Sequence, residues 1–131
     1  MWGNANLPFG DYDPRLSPDG SKLVFERLLN DSSIHGNYDI FIVNSDGTGE
    51  TRLTYTGYSQ GLASWSHSGD KIVYIVAAIG TEGKYDMYIM NYDGTDSRNI
   101  TPDYFPSNFL CHSPIFSPDD SEILFIGEWW E

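Results

Sequence analysis

Basic side chains are scarce in this chain: 7 Lys and Arg stand against 19 Asp and Glu, a formal net charge of -12 over 131 residues. Nucleic-acid binding rests on Lys and Arg set against phosphate, and anionic membrane surfaces draw the same residues, so neither is expected as a partner. Cysteine is nearly absent. Cys111 stands alone, so the fold rests on no intramolecular disulfide and the redox compartment stays open. Long apolar runs are missing too, and no stretch approaches the roughly 20 residues of a membrane span. Residues 1–10, Met-Trp-Gly-Asn-Ala-Asn-Leu-Pro-Phe-Gly, have neither a basic start nor an apolar run, so no signal peptide is expected in them. His35, His67 and His112 fall in different predicted loops without ligand spacing, and no D-x-[DN]-x-[DN]-G loop is present. Neither a metal nor a cofactor is expected.

What the chain does have is repetition. Leu16-Ser17-Pro18-Asp19-Gly20-Ser21-Lys22-Leu23-Val24-Phe25 returns as Trp65-Ser66-His67-Ser68-Gly69-Asp70-Lys71-Ile72-Val73-Tyr74, and again as Phe116-Ser117-Pro118-Asp119-Asp120-Ser121-Glu122-Ile123-Leu124-Phe125. Ser17, Ser66 and Ser117 are 49 and 51 residues apart, long enough for one four-stranded unit. A second signature keeps step: Tyr38-Asp39-Ile40-Phe41-Ile42-Val43-Asn44-Ser45-Asp46-Gly47-Thr48 recurs 47 residues on as Tyr85-Asp86-Met87-Tyr88-Ile89-Met90-Asn91-Tyr92-Asp93-Gly94-Thr95. Each is followed by a short closing strand, Thr51–Thr54 and Ser97–Thr101. One unit therefore reads as strand A, a Ser-Pro-Asp-Gly turn, strand B, a loop, strand C, an Asp-Gly turn and strand D.

These two signatures in register resemble the TolB-type, WD-like β-propeller repeat over nearly the whole chain, from about Asp13 to Phe125. The resemblance implies an all-β fold of four-stranded antiparallel blades: blade 1 at about 13–54, blade 2 at about 63–101 and half of a third at about 113–127, a sector of a six-bladed ring. It implies a periplasmic or extracellular home, since TolB-like proteins are commonly exported. Its repeat positions are Ser17, Pro18, Asp19, Gly20, Asp39, Asp46 and Gly47 in the first unit, Ser66, Gly69, Asp86, Asp93 and Gly94 in the second, and Ser117, Pro118 and Asp119 in the third. Periodic carboxylates at Asp39 and Asp86, and at Asp46 and Asp93, read most simply as hydrogen-bond partners of neighbouring turns rather than as calcium ligands.

Strand physics agrees. Leu23-Val24-Phe25 and Ile40-Phe41-Ile42-Val43 are apolar at successive positions, which predicts burial on both faces, as in a blade held between two others. Pro18 suits a type I turn, Gly20 suits a left-handed residue, and Asp120, standing in the third copy where Gly20 stands in the first, tolerates that region. Strand A of blade 1 is expected at about Pro14 to Ser17. The connections from B to C and from D to A are long and, in antiparallel blades, leave on one side of the ring. They carry the candidate binding residues His35, Tyr55, Tyr58, Tyr104, Phe105 and His112, beside Phe109 and Cys111.

Gly57-Tyr58-Ser59-Gln60-Gly61 matches G-x-S-x-G, but a nucleophile elbow needs a helix after the serine and the register puts a strand there. Cys111 and His112, as neighbours on an extended chain, point to opposite sides. Asn30 and Asn99 head glycosylation sequons, Asn99 inside a predicted strand. No catalytic constellation is expected. The reading is a non-catalytic scaffold binding a protein, peptide or glycan through its long-loop face; the alternative is the propeller sector of a prolyl-oligopeptidase-like serine hydrolase. With only strands A and B of a third blade, the chain is expected to be a fragment that meets the remaining blades of a propeller, self-associates through open edges, or is partly disordered after Phe125.

Overall fold

The structure is a computed structural model and describes residues 10–29, 37–56, 58–77 and 85–129. Ten strands follow in order: β1 (Asp11–Leu16), β2 (Lys22–Leu29), β3 (Asn37–Asn44), β4 (Thr51–Arg52), β5 (Ser59–Trp65), β6 (Lys71–Ala77), β7 (Tyr85–Asn91), β8 (Arg98–Asn99), β9 (Phe109–Phe116) and β10 (Ile123–Trp129). Blade 1 is the sheet β1-β2-β3-β4, antiparallel throughout. Blade 2 is β5 to β8, and β9 with β10 forms the half blade.

The turns close as their residues require. In all three A-to-B turns the serine N–H donates to a backbone carbonyl five residues on, and the serine Oγ accepts the N–H of that same residue: Ser17 with Lys22, Ser66 with Lys71, Ser117 with Glu122, each Oγ contact at 3.0 Å. Position 20 of the first copy has φ 72°, and its counterparts Gly69 and Asp120 have 78° and 60°, so the aspartate does accept the left-handed conformation. The Asn44–Thr48 and Asn91–Thr95 turns each end on a positive-φ glycine, a type I turn closed by a bulge.

One periodic feature has no composition signal. Every A strand breaks register at a left-handed residue, Asp13 (φ 48°), Leu62 (54°) and Ser113 (52°), followed by Pro14, Ala63 and Pro114. The bulge leaves an extra residue unpaired, which suits a proline with no N–H to give. It also lets pairing resume upstream, so β1 starts at Asp11 rather than near Pro14, and Ser17 belongs to the turn. By the same device β5 takes in Ser59 to Gly61, and β9 takes in Phe109, Cys111 and His112; none of these six sits in a loop, as the sequence reading had it.

The core is two layers on either side of blade 2. On one face of β6, Ile72, Tyr74 and Val76 pack with Val24, Ile40, Ile42, Leu53, Trp65 and Met90. On the other face Ile75 meets Met87, Cys111 and the rings of Phe105, Phe109 and Phe125. The five residues Ile72 to Val76 are all buried, the two-sided burial that an unbroken apolar strand predicts. Two departures concern the half blade. Strand β8 is only two residues long, and β9 takes the vacant end of the β7 edge through a parallel bridge from Leu110 to Tyr85, fusing blade 2 and the half blade into one sheet. Pairing also runs past Phe125 to Trp129, which lies opposite Phe109. Gly127 makes room: a Cβ there would stand 2.3 Å from Phe109 Cζ, and the Phe109 ring instead stacks with Trp129 at 6.0 Å.

Candidate functional site

The two D-to-A connections carry the two most exposed rings among the described residues, Tyr104 and Tyr55, and Tyr58 beside them. Tyr55 is 71% exposed, Tyr58 48% and Tyr104 83%, high values for a side chain that supplies packing area. Tyr55 and Tyr58 meet over one cavity of about 180 Å³ between the 53–60 segment and blade 2, floored by Tyr74 and Tyr88 and walled by Gln60 and Ser97. The Tyr74 hydroxyl shares a hydrogen bond with Ser97 Oγ at 2.5 Å, and burial raises the Tyr74 phenol above its ordinary value. The Arg52 guanidinium lies 4.6 Å from the Tyr55 ring centroid and bonds Asp39 at 2.6 Å. Asp39, fully buried, also accepts from Thr54 Oγ1; burial raises its carboxyl, and Thr54 and Arg52 offset part of that rise. The periodic Asp39 thus braces the closing strand, where a neighbouring turn was expected as its partner. The equivalent Thr101 bonds Met87 N as Thr54 bonds Ile40 N, but Asn99 stands in the place of Arg52 and bonds the Thr101 N–H.

The other expected binding residues separate from this site. Tyr104 packs edge-on against Phe105 at 5.1 Å, and Phe105 belongs to the aromatic core with Phe109 and Phe125. Phe105 is thus structural. His112 lies in β9, with Nδ1 3.2 Å from Ser113 Oγ and Nε2 3.5 Å from Glu128. His35 lies outside the described residues, as does Asn30. Cys111 is buried, which pushes its thiol up to about 11 with the Asp86 charge adding to the effect. Ser59 opens β5, and its Oγ accepts the Tyr38 N–H at 3.2 Å. No turn into a helix places it as a nucleophile.

Sequence reasoning missed Gln60, Tyr74 and Tyr88 because they sit in strands; the nearest signal was Tyr55 and Tyr58, which follow the closing Leu53-Thr54. It also missed the opposite, short-turn face. There a larger cleft of about 510 Å³ opens between the first and second Ser turns, lined by Pro18, Asp19, Lys22, Trp65, His67 and Tyr92 among others. Of its two acids, Asp19 is already committed: it accepts from Ser17 and Ser21, and those bonds hold its carboxyl down to about 2. His67 N and Ser68 N donate to Asp120, joining the second turn to the third. On the inner edge, Glu26 of blade 1 accepts the Leu62 N–H at 3.0 Å; burial pushes its carboxyl up to about 7, with Asp13 beside it adding to the rise. Among the described residues no three His, Cys, Asp or Glu side chains gather as a metal site, and no helix is long and apolar enough to cross a membrane.

No family model matches the chain, and no curated protein matches its sequence. Solved structures do match. A protein assigned as TolB from Agrobacterium tumefaciens aligns with a TM-score of 0.67 at 23% identity, over 92% of this chain and 43% of its own length. TolB from Acinetobacter baumannii aligns at 0.61 and 19%, over 86% and 25%. The β-propeller domain of the Trilobed protease from Pyrococcus furiosus, described as having an open velcro topology, aligns at 0.62 and 15%, over 88% and 33%. The chain thus spans less than half of each. Likeness at these identities shows the fold, and the fold is a β-propeller: two four-stranded blades and the first two strands of another.

Proposed function

We propose that this propeller sector is a non-catalytic scaffold that binds a protein or peptide partner through its long-loop face. The observation that carries the reading is the cavity beneath Tyr55 and Tyr58, where two exposed rings stand over the buried Tyr74 and the half-buried Tyr88. Exposed rings on loops held by a rigid sheet cost little conformational entropy on contact, which is why such rings serve as anchors at interfaces. Tyr104 extends the same side of the blades. A triple change, Tyr55→Ser, Tyr58→Ser and Tyr104→Ser, removes these exposed rings and, of the core, only the edge contact of Tyr104 on Phe105. Immobilised wild-type chain should retain partners from the source cell's extract that the triple variant loses, with both melting alike. Identical retention by the two proteins sinks the assignment of this face.

The likeness to a protease propeller supports a second reading, in which the same blades belong to a larger hydrolase. The coding sequence around this segment separates the two readings. A neighbouring strand–turn–helix bearing G-x-S-x-G sinks the scaffold, whereas further blades alone sink the hydrolase.

A further inference from the structure

Adjacent blades meet at their Ser turns in two ways, and the difference opens the cleft on the short-turn face. Between the second turn and the third, the Asp120 carboxylate fills the joint, accepting the His67 and Ser68 N–H groups at 2.7 and 2.9 Å. Between the first turn and the second, the residue that corresponds to Asp120 is Gly69, also at positive φ, and the nearest atom a Cβ there would meet is Pro18 Cδ at 3.8 Å. The groups opposite have changed too. Pro18 stands where His67 does and has no N–H to give, and Asp19, in the place of Ser68, adds a carboxylate. The cleft of about 510 Å³ is therefore a joint that position 69 leaves unfilled and whose polarity no longer suits a carboxylate.

What the cleft offers an occupant is mixed in sign. The three hydrogen bonds that Asp19 accepts from Ser17 and Ser21 all end on Oδ1, which leaves Oδ2 for a further donor. The exposed Asp70 carboxylate accepts nothing among the described residues. Lys22, in the same wall, gives one of its three ammonium protons to Asn44 Oδ1 at 2.9 Å and keeps two. An anion would face Asp19 and Asp70, and a cation would face Lys22, whereas a hydroxyl can donate to a carboxylate and accept from an ammonium in turn. Beside these groups the Tyr92 ring, 42% exposed and 6.0 Å from Lys22 Nζ, supplies an apolar face. Neighbouring hydroxyls around an apolar ring face describe a sugar. The volume lies within the roughly 300–1,000 Å³ of small-molecule sites, and a second cavity of about 180 Å³, reaching Thr51, Leu53 and Asp93, shares Lys22 and Tyr92 as its wall, so the two make adjoining subsites. We propose that this joint between the first and second Ser turns binds a neutral saccharide, a disaccharide or longer. It lies on the face opposite the long loops and does not depend on their reading as a binding face.

The test is a titration of the isotopically labelled chain with cellobiose, chitobiose and mannobiose, followed by NMR at the Gly69 and Tyr92 amides, with acetyl-Gly-Arg-Gly-amide and succinate as charged controls. At least one disaccharide should shift these amides saturably and almost independently of salt, since a neutral ligand has no charge to screen, and the controls should leave them in place. Asp70→Asn keeps the size of the side chain and removes its charge, so it should weaken the sugar roughly fivefold. Tyr92→Leu, read at Gly69, should weaken it as well. Gly69→Asp puts into this joint the residue that fills the other one, at a φ that Asp120 already adopts, and should abolish the shift at Tyr92. The triple tyrosine variant of the long-loop face should bind the sugar as the wild type does. No saturable shift with any of the three disaccharides overturns the proposal, as does a charged control that shifts these amides in their place. Sugar binding left unchanged by both Gly69→Asp and Asp70→Asn overturns it too, because the sugar would then sit elsewhere.

Discussion

Blade 1 and the half blade each cover one face of blade 2 and each turn their other face outward, yet the two outward faces are finished differently. On blade 1, Phe25 and Phe41 stack at 5.8 Å and are buried beneath Arg27, whose guanidinium lies 4.6 Å from the Phe41 ring and bonds both Asp11 and Glu50. Those two carboxylates hold the Arg27 charge firmly, raising its pKa. On β10 nothing comparable among the described residues lies over the strand, and Leu124 (67% exposed) and Ile126 face outward. The joints differ as well. Blade 1 meets blade 2 partly through polar groups, Glu26 on the Leu62 amide and the Trp65 indole on the Arg15 carbonyl, while the half blade meets it through Ile75, Met87, Cys111 and phenylalanine rings. The same repeat thus makes a capped face and a bare one, and the difference lies in single residues outside the repeat signature.

The largest effect should come from the strand with no outward face. Ile72→Ala removes a side chain buried between blades 1 and 2 and should cost about 2–5 kcal/mol, whereas Leu124→Ala on β10 should stay within about 0.5 kcal/mol by urea unfolding. Equal losses would mean that β10 is covered. Next comes the cap. Arg27→Ala uncovers two rings and leaves Asp11 and Glu50 facing one another without their cation, a loss of about 2 kcal/mol. Dye binding to exposed apolar surface should rise with it; a silent substitution would show that the rings are buried by something other than Arg27.

The polar joint should show itself in pH. Glu26 has a folded pKa of about 7 against an ordinary 4.5, chiefly through burial, so the folded state holds its proton more tightly than the unfolded one. That contribution is full below about pH 4.5 and is lost as pH rises through 7. Gln at this position keeps an oxygen for the Leu62 N–H and has no proton to lose. Glu26→Gln should therefore match the wild type near pH 4.5 and exceed it by about 1–2 kcal/mol at pH 8. Parallel stability curves would place the Glu26 carboxylate in water.

Blade count, strand order and the turns were legible because each rests on a local residue choice repeated in step: a serine whose hydroxyl takes the N–H five residues on, a glycine or aspartate at positive φ. The bulges were not legible, since Asp13, Leu62 and Ser113 share no chemistry and owe their conformation to where the strand must bend. That blind spot moved His112, Cys111 and Ser59 from loops into strands. The ordered tail was hidden for a similar reason, because Gly127 and Phe109 are distant in sequence and meet only across the pair β9–β10. Of the site, Tyr55 and Tyr58 could be read from loop position; Gln60, Tyr74 and Tyr88 required the packing of blade 1 against blade 2.

The smallest effect on stability should come from the bare face, and its smallness is informative. Leu124 and Ile126 are exposed, so charging both, Leu124→Lys with Ile126→Lys, removes little packing and should shift stability by no more than about 0.5 kcal/mol. Both lie on a strand that has no further strand beside it among the described residues, and lysine is the residue that natural edges use to discourage pairing. The wild-type chain should therefore show a concentration-dependent mass in light scattering that the double variant lacks, and Arg27→Ala should add a second, independent route to association through blade 1. A wild-type mass that stays constant across concentration would mean that the bare face is too small or too curved to pair. A double variant that melts well below the wild type would mean instead that Leu124 and Ile126 contribute packing to the folded chain.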